Sequence, residues 1–410
     1  MGANTAAVVT VGTELVTGLQ YDTNSADVAA ALTSAGLRVV ETASTGDDEA
    51  LLAELLTWLT GLCDLVVVTG GLGPTHDDIT REAACRALSR PLGRDEALAE
   101  RLRAVASRHN DPEAAAQVYR QADVLDGATV LPATVGTAPG QVVPTPRGHL
   151  VLLPGPPREM RPMLDAAFGV LGLKAAARPV ILGTTGLSES DVQVVAQRVL
   201  AGAGGIGLTV LARPGEVRVV LVDEGAGAAV VSDAGERVCD ALGDACFSAS
   251  GESLPAAVLG RAGLAGVTIA TAESCTGGMV AAALTDVPRS SAAFLGGVVA
   301  YDNALKSAAL GVKPATLAAH GAVSKETALE MAAGARRVTG ADWALSTTGI
   351  AGPGGGTASK PVGLVWFGLD GPAGASAFER RFPGDRAAVR MRATAAALDL
   401  LRLAIVRSCA

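Results

Sequence analysis

Short apolar runs alternate with amphipathic stretches along most of the chain. The pattern predicts a strand over residues 6–11 and a helix over 24–35, with Asn24 as N-cap and Gly36 as stop. A strand over 37–42, a helix over 49–62 and a near-continuous apolar strand over 64–69 (DLVVVT) follow. This β-α-β-α-β order implies a parallel sheet with helices on both faces. Such sheets present ligands at the carboxyl ends of their strands. Three of those ends carry unusual loops: VGTELVTG (11–18), GGLGPTHDD (70–78) and, after a strand over 149–153, PGPPREM (154–160).

The pattern changes near residue 175. An apolar run over 179–183, a helix over 190–200 and a strand over 216–223 read as a small α+β insert ending near 249–253. A second α/β unit begins near Leu254, with a helix over 254–262 and a strand over 266–271. The loop 272–276 leads into a helix of small residues over 277–284. Further strands are expected over 294–301, 343–347 and 363–369, and helices over 303–310, 325–338 and 387–406. The expected fold class is α/β: two three-layer αβα domains, 1–172 and 249–410, joined by a small α+β domain, 173–248.

Composition narrows the function. Of 410 residues 49% are apolar but only 3% aromatic, so the cores must be aliphatic. A net charge of −8, from 33 basic and 41 acidic residues, argues against a partner made of phosphate backbone, and no nucleic-acid binding is inferred. Six Cys without a CxxC pair and four His without HExxH make neither a disulfide scaffold nor a zinc site. The longest uncharged run, 127–146, contains four prolines and cannot be a membrane helix. The opening MGANTAAVVTVGTELV has no basic n-region, so neither a signal peptide nor a transit peptide is expected. The expectation is a soluble, cytoplasmic protein in a reducing compartment. A dimer is the common state for such Gly-rich α/β chains.

In the first domain Gly70, Gly71 and Gly73 let backbone N–H groups approach an anion, and Thr75 offers a cap and a hydroxyl. Asp77 and Asp78 place two carboxylates beside that position, and Glu14 could add a third from the neighbouring strand end. Anion donors beside paired carboxylates suit a Mg²⁺-type ion bridging protein and pyrophosphate. The blander reading makes the glycines a tight turn and the Asp pair a helix cap. Neither GxGxxG nor GxxxxGK[ST] is present.

In the second unit TAESCTGG (271–278) ends a strand and opens a helix, crowding Glu273, Ser274, Cys275 and Thr276 at the turn. A Ser there gains from the helix dipole but still needs a base. His320 is the only His in this half, so a Ser–Lys arrangement is the economical one. Lys306 closes YDNALK (301–306) and can point back over its own N-terminal turn, where burial would lower its pKa. Tyr301 could relay a proton or orient the Lys. Thr347 or Thr348 could supply a hydroxyl. Backbone donors for an oxyanion are expected from Gly349 and the TGIAGPGGG loop or from Gly277 and Gly278, and a phosphate-holding guanidinium from Arg386 or Arg390. The competing structural roles are Ser274 as N-cap, Lys306 as a solvated helix residue and Cys275 as a buried filler.

These motifs carry a resemblance. VGTELVTG, YDTN (21–24), GGLGPTHDD, GTAPG (136–140) and PGPPREM, then AESCTGG, GGVVAYDN with Lys306, HGAVS, TGIAGPGGG and KPVG, stand in the order found in the competence/damage-inducible protein CinA family. GLSES (186–190) and EVRV (216–219) extend the match through the insert, which looks like that family's KH-like module. The N-terminal domain resembles molybdopterin-binding domains of the MoeA/MogA type. The resemblance implies a metal-dependent pyrophosphatase there, splitting ADP-ribose into AMP and ribose 5-phosphate. Glu14, Asp77 and Asp78 would hold a divalent metal such as Mg²⁺, and Gly70, Gly71, Gly73 and Thr75 the phosphates. The C-terminal half implies a cofactor-free amidohydrolase converting nicotinamide mononucleotide to nicotinic acid mononucleotide and ammonia. Ser274 would be the nucleophile, activated by Lys306 and Tyr301 and assisted by Thr348. Thr276, Gly277, Gly278, Gly349 and Arg386 or Arg390 would hold substrate. Two departures stand out: Ala133 and Thr134 replace an Asn usual before GTAPG, and Arg289 replaces a usual Gly. The alternatives are a molybdopterin-binding, molybdenum-cofactor protein and a non-catalytic partner in competence or DNA damage.

Overall fold

A computed structural model describes residues 5–108, 111–173 and 179–408. The chain divides into two compact units, 1–178 and 179–410. The expected start of the insert, near Ala175, lies outside the described residues.

In the first unit six strands form one sheet: β1 (Thr5–Val11), β2 (Arg38–Thr45), β3 (Leu65–Thr69), β6 (Thr129–Leu131), β7 (Gly140–Pro144) and β8 (His149–Leu153), in the order β2-β1-β3-β8-β7-β6. A separate antiparallel ribbon pairs β4 (Leu92–Arg94) with β5 (Asp123–Leu125). The first four strands of the sheet are parallel, as expected. β7 and β6 add an antiparallel edge that the repeating pattern did not announce, because these strands are short and joined through Pro- and Gly-rich turns. β3 is buried at every position, which is why it reads as an unbroken apolar run. The register sets Thr10 beside Thr69 and Thr69 beside Leu153, so the three unusual loops leave one sheet edge side by side.

The second unit holds two sheets. The smaller comprises β9 (Val180–Thr184), β10 (Ile206–Arg213), β11 (Glu216–Asp223) and β12 (Cys246–Ser248), all antiparallel, in the order β10-β11-β9-β12. Alternate residues Val217, Val219 and Leu221 of β11 are buried in a core shared with Val192 and Ala196 of the Glu189–Val199 helix and Val238 of the Ala228–Leu242 helix. Cys239 and Cys246 are joined as a disulfide, a pairing not anticipated for a reducing compartment. Their separation in sequence carried no recognisable signal.

The larger sheet has β13 (Ile269–Glu273), β14 (Phe294–Val299), β15 (Trp343–Gly349), β16 (Leu364–Gly371) and β17 (Gly374–Arg381), in the order β14-β13-β15-β16-β17. β14, β13 and β15 are parallel, and β16 and β17 return antiparallel. Ile269, Leu345 and Phe367 share one core with Leu254, Val280 and Leu398, from the helices Leu254–Ala265, Met279–Thr285 and Arg386–Ser408. Ala270, Ala272 and Ala344 share another with Leu310 and Met331, from Asn303–Leu310 and Lys325–Thr339. Those two helices touch closely at Gly334, where a Cβ would stand 2.0 Å from the Leu310 carbonyl oxygen. This contact seats the helix that carries Lys306. Among the described residues no helix is long and apolar enough to cross a membrane.

Candidate active site

Ser274 is the first residue past β13, and its N–H donates to the Thr347 carbonyl at 2.9 Å, one further rung between β13 and β15. Side chains alternate across a strand. Ala270 and Ala272 face the side of the sheet that holds the Asn303–Leu310 and Lys325–Thr339 helices, and so do Ser346 and Thr348 of β15, whose hydroxyls donate to Ala328 O at 2.6 Å and Ala322 O at 2.7 Å. The same alternation takes Ser274 to that side and Cys275 to the other. Cys275 belongs to the opposite aliphatic core, and burial pushes its thiol up to about 12. The thiol is therefore a filler.

Lys306 is 1% exposed. Asp302 caps its helix by accepting the Ala304 N–H at 2.7 Å, which places Lys306 one turn in. From there the side chain runs back, as expected, and Nζ donates to Ala300 O and Tyr301 O, both at 2.9 Å. Ala300 N–H in turn donates to Glu273 O at 2.8 Å, so the amine and Ser274 stand at one sheet edge. Loss of water lowers the Lys306 pKa, and the charge of Asp302 opposes that only in part.

Tyr301 is placed differently from expectation. Its carbonyl holds Lys306, but its phenol is 61% exposed and accepts a hydrogen bond from Arg386 Nη2 at 3.0 Å. Arg386 also donates to Gly352 O at 2.8 Å, while Arg390, one turn on, donates to Thr276 O at 2.8 Å. The two arginines thus tie together the loops after β13, β14 and β15. Thr276 is fully buried, with its hydroxyl 2.7 Å from that of Thr347.

One residue took no role in the sequence reading. Glu273 is 1% exposed, and its carboxylate accepts the N–H groups of Gly278 (2.9 Å), Val280 (3.0 Å) and Ala281 (2.8 Å). It caps the Met279–Thr285 helix, so Ser274 is not the N-cap and the helix dipole is not aimed at it. The Gly277 N–H is also spent, on Ser274 O at 3.1 Å. Gly277 and Gly278 therefore supply no free oxyanion donor, which leaves the 351–356 loop next to Gly349. An acid a few residues before a Gly-Gly helix start was the available signal.

With this geometry in view, residues 252–405 match the CinA C-terminal domain and residues 7–172 match a probable molybdopterin binding domain. A CinA-like protein of Solibacter usitatus is 39% identical, over 97% of this chain and 97% of its own. The chain belongs to the CinA-like family. A CinA-like protein of Thermotoga maritima is 36% identical over the same shares of both chains. A solved structure of the competence/damage inducible protein CihA from Agrobacterium tumefaciens is 42% identical, covers 37% of this chain and 93% of its own, and superposes with a TM-score of 0.36.

In the molybdopterin-binding-like domain the 11–18 and 154–160 loops meet around a pocket of about 290 Å³, lined by Thr10, Glu14, Asp22, Asn24, Thr69 and Gly155 among others, to which the 70–78 loop contributes no residue. Asn24 does not cap its helix, which spans Asn24–Ser34; its Nδ2 donates to Thr69 Oγ1 at 3.1 Å and Gly155 O at 2.6 Å, stitching the loops. Asp22 accepts from Thr10 at 2.8 Å and Ser25 N–H at 3.0 Å; partial burial would raise its pKa, but these bonds outweigh burial and lower it.

The expected phosphate cradle is already filled. Asp78 accepts the N–H of Gly73 at 2.7 Å and both the N–H and hydroxyl of Thr75, at 2.8 and 2.5 Å. Gly70 N–H goes to Leu153 O at 3.0 Å, and a Cβ at Gly70 would stand 2.3 Å from Val11 O, so this glycine serves close packing. Arg81, 1% exposed, holds the loop from behind through Leu72 O and Gly73 O at 2.7 and 3.0 Å. Asp77 is exposed, and Glu14 folds back over Gly12. Among the described residues no three His, Cys, Asp or Glu side chains are grouped to hold a metal ion. With Asp78 committed to its own loop, Glu14, Asp77 and Asp78 do not fit a resident metal.

Proposed function

We propose that the C-terminal domain is a serine amidohydrolase acting on nicotinamide mononucleotide. The observation that supports this reading best is the buried amine of Lys306, fixed by two carbonyls at the edge where Ser274 emerges. Once neutral, that amine keeps two N–H bonds for the two carbonyls and has one lone pair left. The lone pair takes the Ser274 proton as Oγ attacks the carboxamide carbon. The tetrahedral oxyanion is held by N–H groups of the 351–356 loop. Collapse expels ammonia, which leaves with the proton returned by Lys306. Water, deprotonated by the same amine, then cleaves the ester to the carboxylic acid and restores Ser274. Arg386 stands at the rim, where a guanidinium can pair with the nucleotide phosphate. No step calls for a metal. Incubation with nicotinamide mononucleotide, with and without chelator, tests this: chelator-resistant ammonia release is expected, and no release from folded protein would overturn it.

A second reading concerns the other domain, whose pocket between strand ends favours a nucleotide or pterin ligand. Calorimetric titration with ADP-ribose and with a molybdopterin analogue separates hydrolase from pterin binder. Failure of both would remove this reading and leave the first intact.

A further inference from the structure

We infer that the cleft between the small antiparallel sheet and the Arg386–Ser408 helix binds a nucleoside phosphate, at a site separate from Ser274 and Lys306. Its volume of about 530 Å³ lies within the range of small-molecule sites. GLSES and EVRV, the two insert motifs with no part in the amidase chemistry, both reach it: Leu187 and Glu189 come from the first and Glu216 from the second.

Three guanidiniums converge there from three elements: Arg213 from the end of β10, Arg380 from β17 and Arg392 from the final helix. The protein contacts found for them are carbonyls, Glu379 O at 3.1 Å for Arg380 and Pro383 O for Arg392. Among the described residues none of the three has a carboxylate within 4.0 Å. Such a cluster repels itself and is relieved by a multiply charged anion with planar or tetrahedral oxygens, the partner guanidinium geometry suits best.

The acids of the cleft cancel this charge only in part. Asp399 is already bonded to Arg402 at 2.6 Å. Burial raises the Glu216 pKa, and the charges of Arg218 and Arg213 beside it oppose that rise. Glu189 is exposed at the rim. Beside the arginines, Phe382, Leu187 and Leu400 form an apolar wall that inorganic phosphate would leave wet and a nucleobase would cover.

Photolabelling of the full chain with 8-azido-AMP, followed by peptide mapping, tests the site. Saturable label competed by AMP is expected in peptides containing Leu187 or Phe382. It should fall at least tenfold in both Arg213→Ala and Arg380→Ala, and persist in Ser274→Ala. Arg213 and Arg380 are exposed, so these variants keep the fold, which circular dichroism checks. Label confined to the loops around Ser274 or to the N-terminal domain overturns the proposal. So does label in the cleft that neither arginine substitution reduces.

Discussion

The Glu273 carboxylate accepts the Gly278 N–H at 2.9 Å and so occupies the helix N-terminus beside Ser274. The helix start serves as a fixed anchor for the turn, and the negative charge that balances it belongs to the protein. Asp78 does the same for the Gly-rich loop of the first domain, where it takes the Gly73 and Thr75 amides. In both domains an acid within the motif completes its own loop.

Glu273→Ala should therefore cost roughly 3 kcal/mol, since three N–H groups, one buried and two partly buried, lose a charged acceptor. Glu273→Gln should cost about half as much. Urea denaturation measures both, and an Ala variant as stable as the parent would refute the anchor.

Ser274→Ala should lower ammonia release by about three orders of magnitude. Cys275→Ala should stay within about threefold of the parent, at a stability cost of roughly 1 kcal/mol. A reversed ranking would make the thiol the nucleophile.

Because burial lowers the Lys306 pKa, the amidase rate should rise with pH through a midpoint below the ordinary lysine value of 10.5. The unfolded chain holds this proton more tightly than the folded one. The contribution of Lys306 to stability is therefore full above the unfolded pKa and lost as pH falls through the lowered folded value. Urea midpoints should show the parent gaining on Lys306→Met as pH rises from neutral toward the ordinary lysine value of 10.5. A constant difference across that window contradicts a buried, readily deprotonated amine.

Asp78→Ala should destabilise the first domain by about 1–2 kcal/mol through loss of the Gly73 and Thr75 bonds. Asp77→Ala, at an exposed position, should change stability by less than about 0.5 kcal/mol. Equal effects would mean that the two carboxylates share one structural role.

Arg289 sits at φ 66°, in the left-handed region that favours glycine, which gives physical meaning to its replacing the family's usual Gly. Arg289→Gly should relieve that strain and lose part of the gain to a freer unfolded chain, for a net stabilisation of about 0.5 kcal/mol. A lower thermal midpoint in the variant would show that the Arg side chain earns its place by other contacts.

What the amino-acid order decided by itself is local. The Glu49–Leu62, Asn303–Leu310 and His149–Leu153 elements stand where their periodicity put them, because capping and apolar spacing act within a few residues. The backward reach of Lys306 was legible for the same reason: helix geometry points a side chain toward its own N-terminus. Neighbours distant in sequence were not legible. That Asn24 would spend its amide on Gly155, that the Tyr301 phenol would turn to Arg386, and that Arg213 would share a cleft with Arg380 depends on which strands pair and how sheets pack. The same holds for the loop amides. Backbone donors are identical at every residue, so only the folded chain determines whether an N–H is free for a ligand or already held by an acid such as Asp78 or Glu273.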